Sequence, residues 1–167
     1  MYARKEGSET MTKPSEYLAR REALKARYLT DALPSSRPVA TGGVDHLALI
    51  CTDMDTTIRF YTEVMGMRLV NVITNHDDPT STHIFLDMGG GNQLAFFDFP
   101  EHGPAPTQRG IGSMHHVALK ATADQLDALV ATLEAKGISH DLHRFEGGGS
   151  VYLRDPDNIL LEVTTGY

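Results

Sequence analysis

Two stretches of this chain are copies of one pattern, and that repeat limits the fold more than any other feature. VDHLALICTDMDTTIRFYTEVMGMRL (44–69) aligns with MHHVALKATADQLDALVATLEAKGIS (114–139). His46 falls on His116, Leu47 on Val117, Ala48 on Ala118 and Leu49 on Leu119. Each copy opens on a short alternating apolar run, the mark of a strand. A helical stretch follows, closed by Gly66 or Gly137 as a C-cap. In the second copy Thr122 and Gln125 have capping-box spacing. HIFLDMGGGNQLAFF (83–97) then aligns, with one gap, with SVYLRDPDNILLEVT (150–164). Each copy predicts strand, helix, strand and a two-stranded hairpin. The fold class is therefore α+β: two βαβββ modules, about 43–99 and 113–165, in a pseudo-twofold arrangement within one domain at 43–165.

Alternation along the strands predicts which side chains share a face. Leu47 and Leu49, Val117 and Leu119, and Ile159, Leu161 and Val163 belong under the helices. The opposite parity carries His46, His116, Phe85, Phe96, Tyr152 and Glu162. A sheet face that only built a core would not need two histidines and a carboxylate at repeat-related places. Neutral imidazoles and one carboxylate suit Fe(II), Mn(II), Ni(II) or Zn(II), and three protein ligands leave positions open for substrate and oxygen. Glu162, on the last strand, completes the set begun by His46 and His116, whose strands start near the pseudo-twofold axis. Whether one chain supplies all three, or His46 joins His116 and Glu162 across a swapped dimer, is open at this point.

The rest of the chain is an appendage. At 167 residues the protein fits one domain with an extension. Residues 1–40 hold eight Lys/Arg against five Asp/Glu, whereas residues 41–167 hold seven against seventeen. All eight histidines lie at or after His46. Residues 1–13 are polar and unpatterned, which predicts disorder, and Met11 offers an alternative start. Residues 14–33 predict a helix opened by Pro14, with Leu18, Leu24, Tyr28 and Leu29 roughly on one face. Pro34 and Pro38 end it. The net charge of −7 argues against nucleic acid as a partner. The single cysteine, Cys51, precludes an intrachain disulfide and predicts a reducing, cytoplasmic setting. No apolar stretch approaches the ~20 residues of a membrane helix, and no secretory signal is visible.

The paired modules, the HLAL and HVAL openings and the closing DPDNILLEV resemble the vicinal oxygen chelate superfamily, which includes glyoxalase I, fosfomycin-resistance thiol transferases, bleomycin-binding proteins and type I extradiol dioxygenases. The resemblance covers about residues 43–165 and implies a cup around a divalent metal. The finer match is to one-domain extradiol dioxygenases: His143, Val151-Tyr152, Asp155-Pro156 and Glu162 follow that group's spacing, and His115-His116 resembles its doublet. The resemblance implies that His46, His116 and Glu162 hold Fe(II), with Mn, Ni, Co or Zn as alternatives. It implies that His143 and Tyr152 contact substrate oxygens or dioxygen, and that the substrate is a catechol-like or vicinally oxygenated small molecule. The acid–base histidine of that group is replaced by Asn92. Asp141 and Asn158 also depart from its pattern. A lyase, isomerase or thiol transferase of the same superfamily is the alternative, and a small-molecule binding or resistance protein a further one.

Phe96 takes the place that corresponds to Glu162 in the first module. That counts against a four-ligand glyoxalase site unless His83 or Gln93 substitutes. His83, Phe85, Asn92 and Phe96 are the expected substrate-lining residues. His115 should face the helix layer or an edge, His76 a solvated turn, and His102 and His140 loops or strand ends. Gly89-Gly90-Gly91 predicts a hairpin turn, and Gly147-Gly148-Gly149 a flexible hairpin or lid. Cys51 reads as a buried small hydrophobe. A homodimer is expected, because such cups leave a sheet edge exposed and the N-terminal helix offers an exchange element.

Overall fold

The computed structural model describes residues 14–29, 41–99, 107–108 and 110–166. Expectations for residues 1–13 and 30–33, for Pro34 and Pro38, and for His102 lie outside them. The chain divides into two compact units, residues 1–42 and 43–167. The first unit contains α1 (Pro14–Tyr28). Leu29, the last described residue of this stretch, lies just beyond it.

The second unit repeats one pattern twice. The first module is β1 (His46–Cys51), α2 (Met54–Glu63), β2 (Arg68–Thr74), β3 (Thr82–Gly89) and β4 (Asn92–Asp98). The second is β5 (Val117–Lys120), α3 (Ala123–Ala135), β6 (His140–Phe145), β7 (Gly148–Arg154) and β8 (Leu160–Thr164). Each forms its own four-stranded mixed sheet, in the orders β1-β4-β3-β2 and β5-β8-β7-β6. In both, the first strand runs parallel to the last, and the other neighbours are antiparallel.

The local chemistry explains the elements. Asp53 caps α2 by accepting from the Thr56 amide. Thr122 and Gln125 form the reciprocal capping box at α3. Gly137, at φ 65°, follows the C-cap of α3 as predicted. Each helix buries one stripe: Thr57 and Tyr61 on α2; Leu126, Val130 and Leu133 on α3. Beneath α2 lie Ile84, Leu86, Leu94 and Phe96, and beneath α3 lie Val151, Leu153, Leu161 and Val163. Full burial of each such side chain contributes about 1.5–3 kcal/mol. No described helix is long and apolar enough to cross a membrane.

The modules meet through α2 and the β7–β8 turn. The buried Tyr61 hydroxyl donates to Asp155 Oδ2 at 3.0 Å, and the Thr52 amide donates to Asp157 Oδ2 at 3.0 Å. Burial, then the Asp155 charge, push the Tyr61 hydroxyl far above its ordinary pKa, and burial raises Asp155. Asp155 Oδ1 also accepts from the Asp157 and Ile159 amides. The turn is thus built around one carboxylate, and Asn158 takes a left-handed φ of 67° within it. Asparagine tolerates that conformation better than other non-glycine residues.

The glycine runs differ. Gly90 and Gly91 make the β3–β4 turn, with φ of 64° and 80°. Gly148 and Gly149 belong to strand β7 and form no lid. A Cβ on Gly148 would lie 1.9 Å from Thr165 Oγ1, and one on Gly149 would lie 2.9 Å from the His143 carbonyl. Glycine is needed there for close approach, and the Thr165 hydroxyl ties the segment by accepting from the Gly149 amide.

Candidate metal and substrate site

On each sheet the face away from the helix is the candidate site. In the second module Glu162 stands mid-β8, beside Ala118 on β5 and Tyr152 on β7. It is fully buried. Holding a carboxylate there is costly unless it is paired. His116, just before β5, supplies the pairing: its Nε2 lies 3.0 Å from Glu162 Oε2. The other ring nitrogen of His116 lies 2.7 Å from Nδ1 of His115, so one ring donates to the other. Exposed His115 thereby orients His116 with Nε2 toward the carboxylate. Tyr152 stands edge-on to His116 and to His143, with ring centroids 6.3 and 5.7 Å apart. His116, Glu162, Tyr152 and His143 are thus grouped on one face.

The first module presents a different surface. His46 opens β1, and its Nδ1 is 2.7 Å from Asp45 Oδ1. Its ring lies 5.5 Å from Phe85 and 6.3 Å from His83. His83 packs 4.1 Å from Phe85 and stacks on Phe97 at 3.7 Å, their planes 16° apart. His83 Nε2 is sealed from solvent and meets no hydrogen-bond partner. An unsatisfied group of that kind costs about 1–3 kcal/mol. Burial, then the neighbouring His46, hold the His83 pKa below its ordinary value.

Two expected lining residues lie elsewhere. Phe96 is fully buried on the helix side, 4.9 Å from the Tyr61 ring. Its register partners are Leu49 and Ile84, both helix-facing. The open face carries Ala95 and Phe97 instead. Ala95 pairs with Ala48 as Glu162 pairs with Ala118, so alanine occupies the place that corresponds to the glutamate. Alanine has no donor, and the argument against a four-ligand site stands on it. Asn92 turns into the hairpin: its side-chain amide donates to the Gly90 carbonyl at 3.2 Å and, at 3.5 Å, to Gly89. Its position just after three left-handed glycines explains this, since the amide satisfies the exposed turn carbonyls.

His76 sits in a solvated turn beside Asp77, and His140 opens β6 with Nδ1 2.9 Å from the Ile138 carbonyl. Cys51 is buried, and burial pushes its thiol up to about 11, which makes it a poor nucleophile.

Among the described residues, no three His, Cys, Asp or Glu side chains converge closely enough to hold a metal ion. The structure joins His116 to Glu162 and leaves His46 with the first module's rings. The physical reason is the docking of the modules, which rests on α2 and the β7–β8 turn and pairs no strand of one sheet with the other. The donors present fit a divalent cation in part. His116 and Glu162 converge on one point as an imidazole and a carboxylate would around a metal. A third ligand must come from another place.

Sequence reasoning missed Phe97, Ala95 and the Tyr61–Asp155 bond. An ungapped alignment of the two hairpins would have found the first two, because it sets Ala95 on Glu162. The bond gave only a faint signal, an apolar helix stripe containing one tyrosine.

A profile of the Glyoxalase/Bleomycin resistance protein/Dioxygenase superfamily matches residues 43–163. MhqE of Bacillus subtilis, provisionally named a ring-cleaving dioxygenase, is 28% identical over 126 residues, which are 74% of this chain and 41% of that protein. The chain therefore spans less than half the length of that relative. A glyoxylase/bleomycin resistance protein/dioxygenase domain from Frankia sp. EAN1pec has a TM-score of 0.67 at 22% identity, covering 77% of this chain and 100% of its own. A variant of the fosfomycin resistance protein FosX from Listeria monocytogenes was solved with Mn(II) and a dihydroxypropylphosphonic acid. It has a TM-score of 0.59 at 21% identity, covering 76% of this chain and 94% of its own. With the repeat, the paired sheets and the profile in agreement, the chain belongs to the Glyoxalase/Bleomycin resistance protein/Dioxygenase superfamily.

Proposed function

We propose that this protein is a metal-dependent enzyme of the ring-cleaving dioxygenase type, acting on a catechol-like or other vicinally oxygenated small molecule. The observation that carries the reading is the pair of half-buried His116 and fully buried Glu162, 3.0 Å apart on the open face beside Tyr152 and His143. His116 Nε2 and Glu162 Oε2 are two ligands of the divalent cation, and His46 from a second copy of the chain is the third. The active form is then a homodimer with two equivalent sites. Fe(II) is the metal expected from the donor set, with Mn, Ni, Co or Zn also accommodated.

When bound, the cation acidifies and orients two adjacent substrate oxygens and offers an open position for O₂. The chain's own residues do the rest. The His115 ring keeps His116 aimed at the site. Tyr152 Oη donates a hydrogen bond to a substrate oxygen. The imidazole of His143 takes or returns a proton there near neutral pH. The small side chains of Ala118 and the buried Ala95 leave room for a flat ring. The name of MhqE supports the oxidative reading, while other relatives named lactoylglutathione lyases keep the lyase as the alternative, and the single cysteine supports a reducing compartment such as the cytoplasm.

The test is elemental analysis after anaerobic loading with Fe(II) and desalting, followed by oxygen uptake over a series of catechols. About one iron per chain is expected, absent in Glu162→Ala, with uptake slowed in Tyr152→Phe while iron is kept. Sedimentation should give twice the chain mass of 18.3 kDa. A His46→Ala chain mixed with a Glu162→Ala chain should recover one intact site per heterodimer. Metal bound with no oxygen uptake would replace this reading with the lyase, isomerase or transferase one. Full activity without metal would overturn both.

A further inference from the structure

Residues 41–167 hold seven Lys/Arg against seventeen Asp/Glu, so a cation there that no carboxylate holds is informative. Arg59 pairs with Asp55, Arg68 with Asp87 and Arg144 with Asp127, while Arg154 donates to the Asn158 carbonyl at 2.8 Å. Lys136 is the C-cap of α3, where a positive charge meets the negative end of the helix. Lys120 differs from all of these. It is exposed on β5, and its ammonium has no ion-pair or hydrogen-bond partner among the described residues. Its direction follows from its neighbours. Val117 and Leu119 pack into the core under α3, so Ala118 and Lys120 take the open face. Ala118 is the register partner of Glu162, and Lys120 that of Thr164. His116 shares that face through its contact with Glu162. His116, Ala118 and Lys120 thus run in that order along one face, successive members roughly 6.6 Å apart. The floor beside Lys120 is polar: Ser150 Oγ donates to Thr164 Oγ1 at 2.8 Å. In the first module the corresponding residue is Ile50, exposed on the edge strand β1. The strand edge therefore does not itself demand a charge at this place.

We infer that Lys120 is a specificity residue that reads a carboxylate on the substrate ring, on the side away from the vicinal oxygens. The inference rests on the function proposed above and narrows its substrate class to catechol-like acids. With the vicinal oxygens at the His116–Glu162 end, a flat ring lies over Ala118, whose single methyl leaves it room. A substituent opposite the oxygens then meets the Lys120 ammonium, and the flexible four-carbon stem lets the charge follow the group. An ammonium–carboxylate contact is charge-assisted and stronger than a neutral hydrogen bond. An apolar substituent would instead lie against an ammonium and two hydroxyls, and would desolvate them without return. One ammonium matches one negative charge, which fits a carboxylate better than a dianionic phosphate or phosphonate. Arg154, the other described cation of this parity, is held by the β7–β8 turn.

The test is anaerobic calorimetric titration of the Fe(II)-loaded full chain with 3,4-dihydroxybenzoate and with the neutral 4-methylcatechol. The ratio of the two affinities, compared between wild type and variant, cancels what the metal contributes to both. Wild type should prefer the acid. Lys120→Met, which keeps the length of the stem, should lose about tenfold of that preference while 4-methylcatechol binding stays unchanged. Lys120→Arg should retain most of it, and salt of about 0.5 M should shrink it in wild type. Iron retention, read by elemental analysis, should be equal in wild type and Lys120→Met. No preference in wild type, a preference that survives Lys120→Met, or equal loss of both ligands would each overturn the inference and leave the proposed function standing. A lysine that only guards the β5 edge would give one of the first two results. Loss of iron in Lys120→Met would also overturn it, because the lysine would then act through Glu162. A wild-type chain that retains no iron would sink the proposed function and this inference with it.

Discussion

The two modules share a sequence pattern and a strand order, yet their open faces have little chemistry in common. The second module offers a buried carboxylate, two imidazoles and a tyrosine, joined by a 3.0 Å contact and by edge-on rings. The first offers a row of rings, with His83 stacked between Phe85 and Phe97. At corresponding places Ala95 stands for Glu162, Phe85 for Tyr152 and Ile73 for His143. One scaffold thus carries a polar half and an apolar half. The helix-facing cores stay alike because both must seal one helix onto one sheet. The difference teaches that the fold's constraint lies on one parity of each strand, and the other parity is available for function.

The sharpest way to break the comparison is to remove the carboxylate. Glu162→Ala should abolish retained divalent metal, read by elemental analysis, whereas Phe85→Ala should leave it unchanged. Equal loss in both would mean the halves are not divided in this way. Next comes the joint between them. Tyr61→Phe keeps the ring against Phe96 and leaves Asp155 Oδ2 without its donor. It should cost about 2–3 kcal/mol in thermal or urea unfolding.

The hairpins offer a smaller contrast. Gly148→Ala drives a Cβ to 1.9 Å from Thr165 Oγ1 and should cost about 1–2 kcal/mol. Gly91→Ala meets no atom within 4 Å and is strained only by its φ of 80°, so about 1 kcal/mol is expected. A reversed order would show that Thr165 moves aside freely. The helix caps give the smallest effect and separate by pH. Thr122→Ala at α3 should cost about 1 kcal/mol at every pH. Asp53, at α2, is held below the ordinary carboxylate range by its bonds to the Thr56 side chain and amide. A depressed folded pKa gives stability that is present above the unfolded value and lost as pH falls through the folded one. The stability gap between wild type and Asp53→Ala should therefore narrow below pH of about 4, and a gap constant down to pH 2 would refute the charge contribution.

Most of the architecture was legible in the sequence because a duplicated pattern makes each copy a check on the other. The strands, α2 and α3, the capping box and the parity of His116, Tyr152 and Glu162 all follow from it. Reading failed where neighbouring residues were chemically alike. Phe96 and Phe97 are adjacent phenylalanines, so alternation cannot say which one faces out, and a one-residue gap reversed the answer. Asn92 was read by correspondence to a catalytic position, while the local need of the turn carbonyls decided its place. The glycine run at 147–149 looked pliable because glycine serves both loose turns and close approach, and only three-dimensional neighbours tell these apart. The separation of His46 from the His116–Glu162 pair could not be read at all, since it depends on which sheets face each other.

The Tyr61–Asp155 bond also carries a direction. Counted from the helix caps, the residue that corresponds to Tyr61 on α3 is Val130, and Met88, at the end of β3, stands in the first hairpin where the second holds Asp155. A chain made from two first halves would own two tyrosines and no acceptor; one made from two second halves would own the acceptors and no donor. The two halves are therefore complements at this joint, and neither can replace its sister there.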